Sequence, residues 1–96
     1  MKKYYSIDEL MNSHASNHLK RHVASALEDG GCIQWKFMSC YEIGATYRSK
    51  FIWRDEKSDF ALQYTCEESP KGFFSHTCQC PSDSRECDIK EYYQML

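Results

Sequence analysis

Tyr47-Arg48-Ser49-Lys50-Phe51-Ile52-Trp53-Arg54, followed by Phe60-Ala61-Leu62-Gln63-Tyr64-Thr65-Cys66-Glu67, is the stretch whose reading decides the fold. Tyr47, Phe51 and Trp53 alternate with Arg48, Lys50, Ile52 and Arg54, and Phe60, Leu62, Tyr64 and Cys66 alternate with Ala61, Gln63, Thr65 and Glu67. Successive side chains of an extended strand point to opposite faces, so a period of two gives each strand a ring-bearing side and a polar side. Upstream, Ile33, Trp35 and Phe37 alternate in the same way with Gln34, Lys36 and Met38. Turn-forming residues separate the runs: Gly44-Ala45, Asp55-Glu56-Lys57-Ser58 and Ser69-Pro70-Lys71-Gly72. The pattern predicts a half-buried antiparallel meander of three strands, or four if Phe73 to Cys78 adds one. The rings are expected against a helix layer and the cations toward water.

Both flanks of this meander read as helical. Ser6-Ile7-Asp8-Glu9 has the spacing of a capping box, with Tyr5 and Leu10 placed as a hydrophobic staple. Gly30-Gly31 supplies a left-handed residue to stop the helix. Between them the apolar stripe rotates: Ile7, Leu10, Met11 and His14 lie on one side, and Leu19, Val23, Ala26 and Leu27 well round from it. Asn12-Ser13-His14-Ala15-Ser16-Asn17 prefers caps and turns, so the region 7–28 is expected to bend there, or to split with Asn12 or Ser16 as a second N-cap. After Pro81-Ser82-Asp83-Ser84, the residues Ile89, Tyr92, Tyr93 and Leu96 recur at i, i+3, i+4 and i+7, predicting a short C-terminal helix. The expected fold class is α+β, one two-layer domain over 1–96: an N-terminal helix, a three- or four-stranded antiparallel meander and a C-terminal helix.

Composition bounds the function. Ninety-six residues leave room for one core, and 15% aromatic residues supply it with large buried area. Twelve Lys and Arg against fourteen Asp and Glu give a net charge of −2, which argues against a protein living on phosphate contacts. No window is long and apolar enough for a membrane span. Asp8 and Glu9 sit where a signal peptide's apolar segment would lie, so the expectation is a cytoplasmic protein without membrane contact. Its six cysteines then meet a reducing compartment and are expected as thiols or metal ligands.

Four constellations bear on chemistry. Cys66, Cys78, Cys80 and Cys87, with His76 as a substitute ligand, have the soft donors of a zinc site. Against this, Cys78 and Cys80 are one residue apart where zinc sites favour two to four, and reduced cysteines acting as small hydrophobes explain the set as well. His14, His18 and His22 would form one row on a straight helix, as a metal pair or as a polar seam. Cys78 or Cys80 beside His76 matches a Cys–His pair in residue type, but nothing in the sequence supplies an orienting group or an oxyanion hole. Carboxylate pairs such as Glu67-Glu68 and Asp55-Glu56 fall in expected turns as solvated charge. No phosphate loop, nucleophile elbow or calcium loop is present, so a non-catalytic protein without a cofactor is expected. Lys36, Arg48, Lys50 and Arg54 remain as a basic strip on the outer sheet face, a docking surface for an acidic protein patch or, second, for nucleic acid. Partner binding is thus one class of function; a zinc-stabilised nucleic-acid-binding module is the other.

A short chain with a capped helix over Ser6 to Glu28, an aromatic meander, a Pro70-containing turn and reduced cysteines resembles the small early proteins of lambdoid phages. In length and layout it is most similar to the phage anti-RecBCD proteins. That resemblance implies binding to the host RecBCD helicase–nuclease, protection of linear phage DNA and assistance to recombination.

Overall fold

The computed structural model describes residues 2–55, 57 and 60–81. In chain order they form β1 (Lys3–Tyr4), α1 (Ile7–Met11), α2 (Asn17–Asp29), β2 (Lys36–Ile43), β3 (Thr46–Arg54), β4 (Phe60–Ser69) and β5 (Gly72–Pro81). The strands make one antiparallel sheet in sequence order, β1-β2-β3-β4-β5. This corrects the expected architecture: among the described residues the sheet has five strands where three or four were expected, and the region 7–28 does not bend as one helix but splits into two short ones, with Ser16 as the second N-cap. The expected C-terminal helix over Ile89, Tyr92, Tyr93 and Leu96 lies outside the described residues.

Local bonding explains the helix division. Ser6 Oγ accepts from the Glu9 amide at 3.0 Å and caps α1, while Ser16 Oγ accepts from the Leu19 amide at 3.1 Å and caps α2. Between them Ser13 Oγ donates to the Leu10 carbonyl at 2.6 Å and accepts from the Ala15 amide at 3.1 Å, side-chain bonding that replaces helical bonding. The capping box closes one residue early, because Glu9 Oε2 accepts from the Tyr5 amide at 3.2 Å. The staple shifts too: Tyr5 is 64% exposed, and Tyr4 instead joins Leu10 in the core.

Tyr4 can do so because it belongs to β1, which pairs Tyr4 with Cys40. Two residues are too short to show a period, so this strand has no signal in the sequence. The first long strand is also displaced, covering Lys36–Ile43 where Ile33 to Met38 was expected. Its register slips between Phe37 and Ser39. An irregularity there switches the parity of the faces, so that Phe37 and then Cys40 both pack toward the core.

The main core lies between helices and sheet: Leu10, Leu19, Val23 and Ala26 meet Tyr4, Cys40, Phe51, Tyr64 and Cys66. Phe51 is fully buried, edge-on to Phe37 at 5.8 Å and tilted against Tyr64 at 5.6 Å. The end of α2 is fastened to mid-sheet by Tyr64, whose hydroxyl donates to the Ala26 carbonyl at 3.2 Å and also bonds the Asp29 carboxylate. Burial, followed by the Asp29 bond, pushes this hydroxyl far above its ordinary pKa, so it stays a donor. Trp35 stacks on Tyr64 at 5.1 Å and donates from Nε1 to the Gly30 carbonyl at 3.1 Å. Gly31, with φ of 71°, takes the left-handed conformation that turns the chain out of α2.

The sheet face away from the helices is not the purely polar surface expected. Ile52, Ala61 and Cys80 are buried there with Met38 packed against them, and Ser39, Gln63 and Thr65 are buried as well. Among the described residues no helix is long and apolar enough to cross a membrane.

Candidate functional site

The strand register places all four residues of the expected basic strip on this outer face, one in each of four cross-strand rows. The rows are Tyr41–Arg48–Glu67–Phe74, Ser39–Lys50–Thr65–His76, Lys36–Ile52–Gln63–Cys78 and Arg54–Ala61–Cys80. The first row continues to Lys3 on β1 and so crosses all five strands. Lys36 and Arg54 are exposed, whereas Arg48 and Lys50 are half-buried.

Arg48 is the fixed point of the face. Its Nε donates to Glu67 Oε1 at 3.0 Å, its Nη2 lies 2.9 Å from the same oxygen, and its Nη1 donates to Tyr41 Oη at 3.1 Å. Partial desolvation disfavours the guanidinium charge, but the bonds to Tyr41 and Glu67 outweigh it and hold the pKa above the ordinary value. Arg48 is therefore not a bare docking cation. Its charge is shared with Glu67, and its planar fork is held by two neighbouring strands. Reading Glu67 as a solvated turn carboxylate missed this, because β4 runs on to Ser69 and carries Glu67 opposite Arg48. Only the register shows the pairing; the alternation Cys66-Glu67 gave the face but not the partner.

The proposed zinc ligands are not brought together. Cys66 pairs with Ser49 and Ser75 on the helix side, where it is fully buried in the core. Cys78 and Cys80 pair with Gln63 and Ala61 on the outer face, which His76 shares. The sheet therefore stands between Cys66 and the other two thiols, and Cys87 lies outside the described residues. Among the described residues no three His, Cys, Asp or Glu side chains gather to hold a metal ion. Burial pushes the Cys66 thiol up to about 11, and burial followed by the charge of Glu9 raises Cys40 further still. Both are held as protonated, unreactive thiols. Cys80 is buried, its Sγ 3.8 Å from the Ala61 carbonyl oxygen.

The histidine row does not form either. His14 precedes α2, and His18 is exposed with its ring stacked on Tyr47 at 6.3 Å. His22 is buried against Ser49, with Nε2 to Oγ at 3.0 Å. The two tryptophans divide as well. Trp35 packs on the core, whereas Trp53 is half-buried and lines a cleft of about 380 Å³ with Cys32, Ile33, Gln34 and Leu62. The period of two places Trp53 on the helix-side face, opposite Leu62, but its ring packs on Phe60 at 6.1 Å and not in the main core. What the outer face offers chemically is a cationic, hydrogen-bonding surface anchored on one ordered Arg–Glu–Tyr cluster. No known family model, curated protein or solved structure matches the chain.

Proposed function

We propose that this chain is a non-catalytic cytoplasmic protein that binds an acidic surface of another protein through the outer face of its sheet. The observation that carries this reading is the convergence of Lys36, Arg48, Lys50 and Arg54 on one face of a chain whose net charge is −2. Segregating cations in this way produces a local field that steers an acidic partner and sets its orientation. The net negative charge of the whole chain favours a protein partner over nucleic acid, which responds to a basic surplus.

The host RecBCD helicase–nuclease is the partner to test first, through the resemblance in length and layout to phage anti-RecBCD proteins. On that reading the protein modulates the nuclease, protects linear phage DNA and aids recombination. The test combines co-elution of purified chain and RecBCD with an exonuclease assay at saturating protein. A complex with altered nuclease activity is expected, and the triple variant Lys36→Ser, Lys50→Ser, Arg54→Ser should weaken it without unfolding the chain. Absence of a complex, with unchanged nuclease activity, removes RecBCD as the partner. Full binding by the triple variant removes this face as the surface.

A further inference from the structure

Both described helices pack on one side of the sheet, where Leu10, Leu19, Val23 and Ala26 enter the main core. No described helix stands over the outer face, and an uncovered face of an antiparallel sheet is solvated. This one is not. Ile52 is 2% exposed, Ala61 0%, Gln63 1% and Cys80 7%, and among the described residues the partly buried Met38 packs against the apolar three. None of Lys50, Arg54, Gln63 and His76 on the same face stands without a partner group.

The chain continues from a corner of this face. β5 ends at Pro81, opposite Phe60 and one residue past the row Arg54–Ala61–Cys80. Residues 82–96 follow from there. Lys36 on β2 is three strand spacings from β5, about 14 Å, and the Arg48 row lies six residues back along β3 from Arg54, about 20 Å. Fifteen residues can span up to about 50 Å, so this segment is long enough to cross the face in either direction.

We propose that residues 82–96 lie over the outer face as an acidic occupant from within the chain, which an acidic partner of that face must displace. Charge selects this occupant. Ten of the twelve Lys and Arg and ten of the fourteen Asp and Glu precede residue 82, so residues 1–81 are neutral overall and the whole net charge of −2 lies in 82–96. Asp83, Glu86, Asp88 and Glu91 supply it against Arg85 and Lys90. Leaving the sheet beside Arg54, these carboxylates meet the face on which Lys36, Arg48 and Lys50 also converge. Ile89, Tyr92, Tyr93 and Leu96 add apolar area against Ile52, Cys80 and Met38. The displacement rests on the acidic-partner reading of the face, whereas the covering stands on burial, reach and charge alone.

Zero-length carbodiimide cross-linking of the dilute full chain, followed by peptide mass spectrometry, tests the covering. A link from Lys50 or Lys36 to a carboxylate within Asp83–Glu91 is expected in the monomer band, reduced at high salt. Segment carboxylates that stay unlinked, link only to lysines off this face, or link only between chains overturn the proposal. Displacement is read with poly-L-glutamate as the acidic probe. Glu86→Gln with Asp88→Asn should tighten its binding by roughly tenfold. Asp8→Asn with Glu28→Gln makes the same change in net charge on the helix layer and should not; equal gains overturn the proposal too. If the first pair fails to fold by circular dichroism, Asp83→Asn with Glu91→Gln makes the same comparison. The two readings fail separately: missing cross-links in a chain that binds the probe remove the covering alone. Expected cross-links in a chain whose variants never bind the probe remove the acidic-partner reading, and with it the displacement, but leave the covering.

Discussion

His22 Nε2 sits 3.0 Å from Ser49 Oγ in a ring only 1% exposed, while the Nδ1 of the same ring has no hydrogen-bond partner among the described residues. Tyr47 and Phe73 face the ring at 6.2 and 6.1 Å, and His18 stacks on the same Tyr47. A protonated imidazole donates from both nitrogens and needs an acceptor at each, and among the described residues only Nε2 has one, the Ser49 hydroxyl. Desolvation by burial accordingly lowers the His22 pKa to about 4 from an ordinary 6.5.

The sign of the pH dependence follows. Above pH 6.5 the ring is neutral both folded and unfolded, and its contribution to stability is fully present. As the pH falls from 6.5 toward 4 the unfolded chain takes up a proton that the folded chain refuses, and stability is lost. The slope from this one group is at most about 1.4 kcal/mol per pH unit. Urea unfolding at neutral pH and near pH 5 should show a larger loss for wild type than for His22→Gln, which has no titrating ring. Equal losses in the two proteins would remove His22 as the acid-sensitive group.

Gly30 and Trp35 make the second prediction. A Cβ added at Gly30 would lie 2.6 Å from both Cδ1 and Nε1 of Trp35. That indole has little room to retreat, being stacked on Tyr64 and bonded to the Gly30 carbonyl. Gly30 itself has φ of −66°, a conformation alanine adopts freely, so backbone preference alone would make Gly30→Ala stabilising by about 0.5–1 kcal/mol. The overlap with Trp35 opposes this with an overpacking cost of about 1–3 kcal/mol. The expected result is net destabilisation with altered tryptophan fluorescence in the folded state. A more stable Gly30→Ala protein would show that Trp35 is not held where the stacking places it.

Much of this framework is legible in the sequence. Ser6 and Ser16 announced their helices because a side-chain oxygen three residues before an amide is a local signal. Gly44-Ala45 and Ser69-Pro70-Lys71-Gly72 announce their hairpins through turn chemistry that is equally local, with Gly44 and Gly72 at positive φ. The misreadings share a non-local cause. The slip between Phe37 and Ser39 reverses which side of β2 faces the core, and no residue type there advertises it. β1 exists only because Tyr4 finds Cys40, some 36 positions along the chain. Cys66 and Cys78 look like neighbours in composition, yet strand parity sends them to opposite sides of the sheet. That Lys36, Arg48, Lys50 and Arg54 share a face depends on parity alone, which a period of two does encode. The pairing of Arg48 with Glu67 is not encoded in this way, since it requires the register.

Arg48 and Glu67 provide the last prediction, and it separates stability from binding. Their side chains are 33% and 26% exposed, so water and salt screen the pair. A double-mutant cycle with Arg48→Met and Glu67→Gln should therefore return a coupling of about 0.2–1 kcal/mol. The single changes should differ in their effect on an acidic partner. Glu67→Gln leaves the guanidinium bonded to Tyr41 and removes the carboxylate that offsets it, so affinity should rise, most at low salt. Arg48→Met leaves a carboxylate among Lys36, Lys50 and Arg54, so affinity should fall. If both variants bind like wild type across a salt series, the row through Arg48 lies outside the docking surface. A coupling above about 2 kcal/mol would mean that the pair is sealed from water, in which case its role is to hold β3 and β4 together and not to meet a partner.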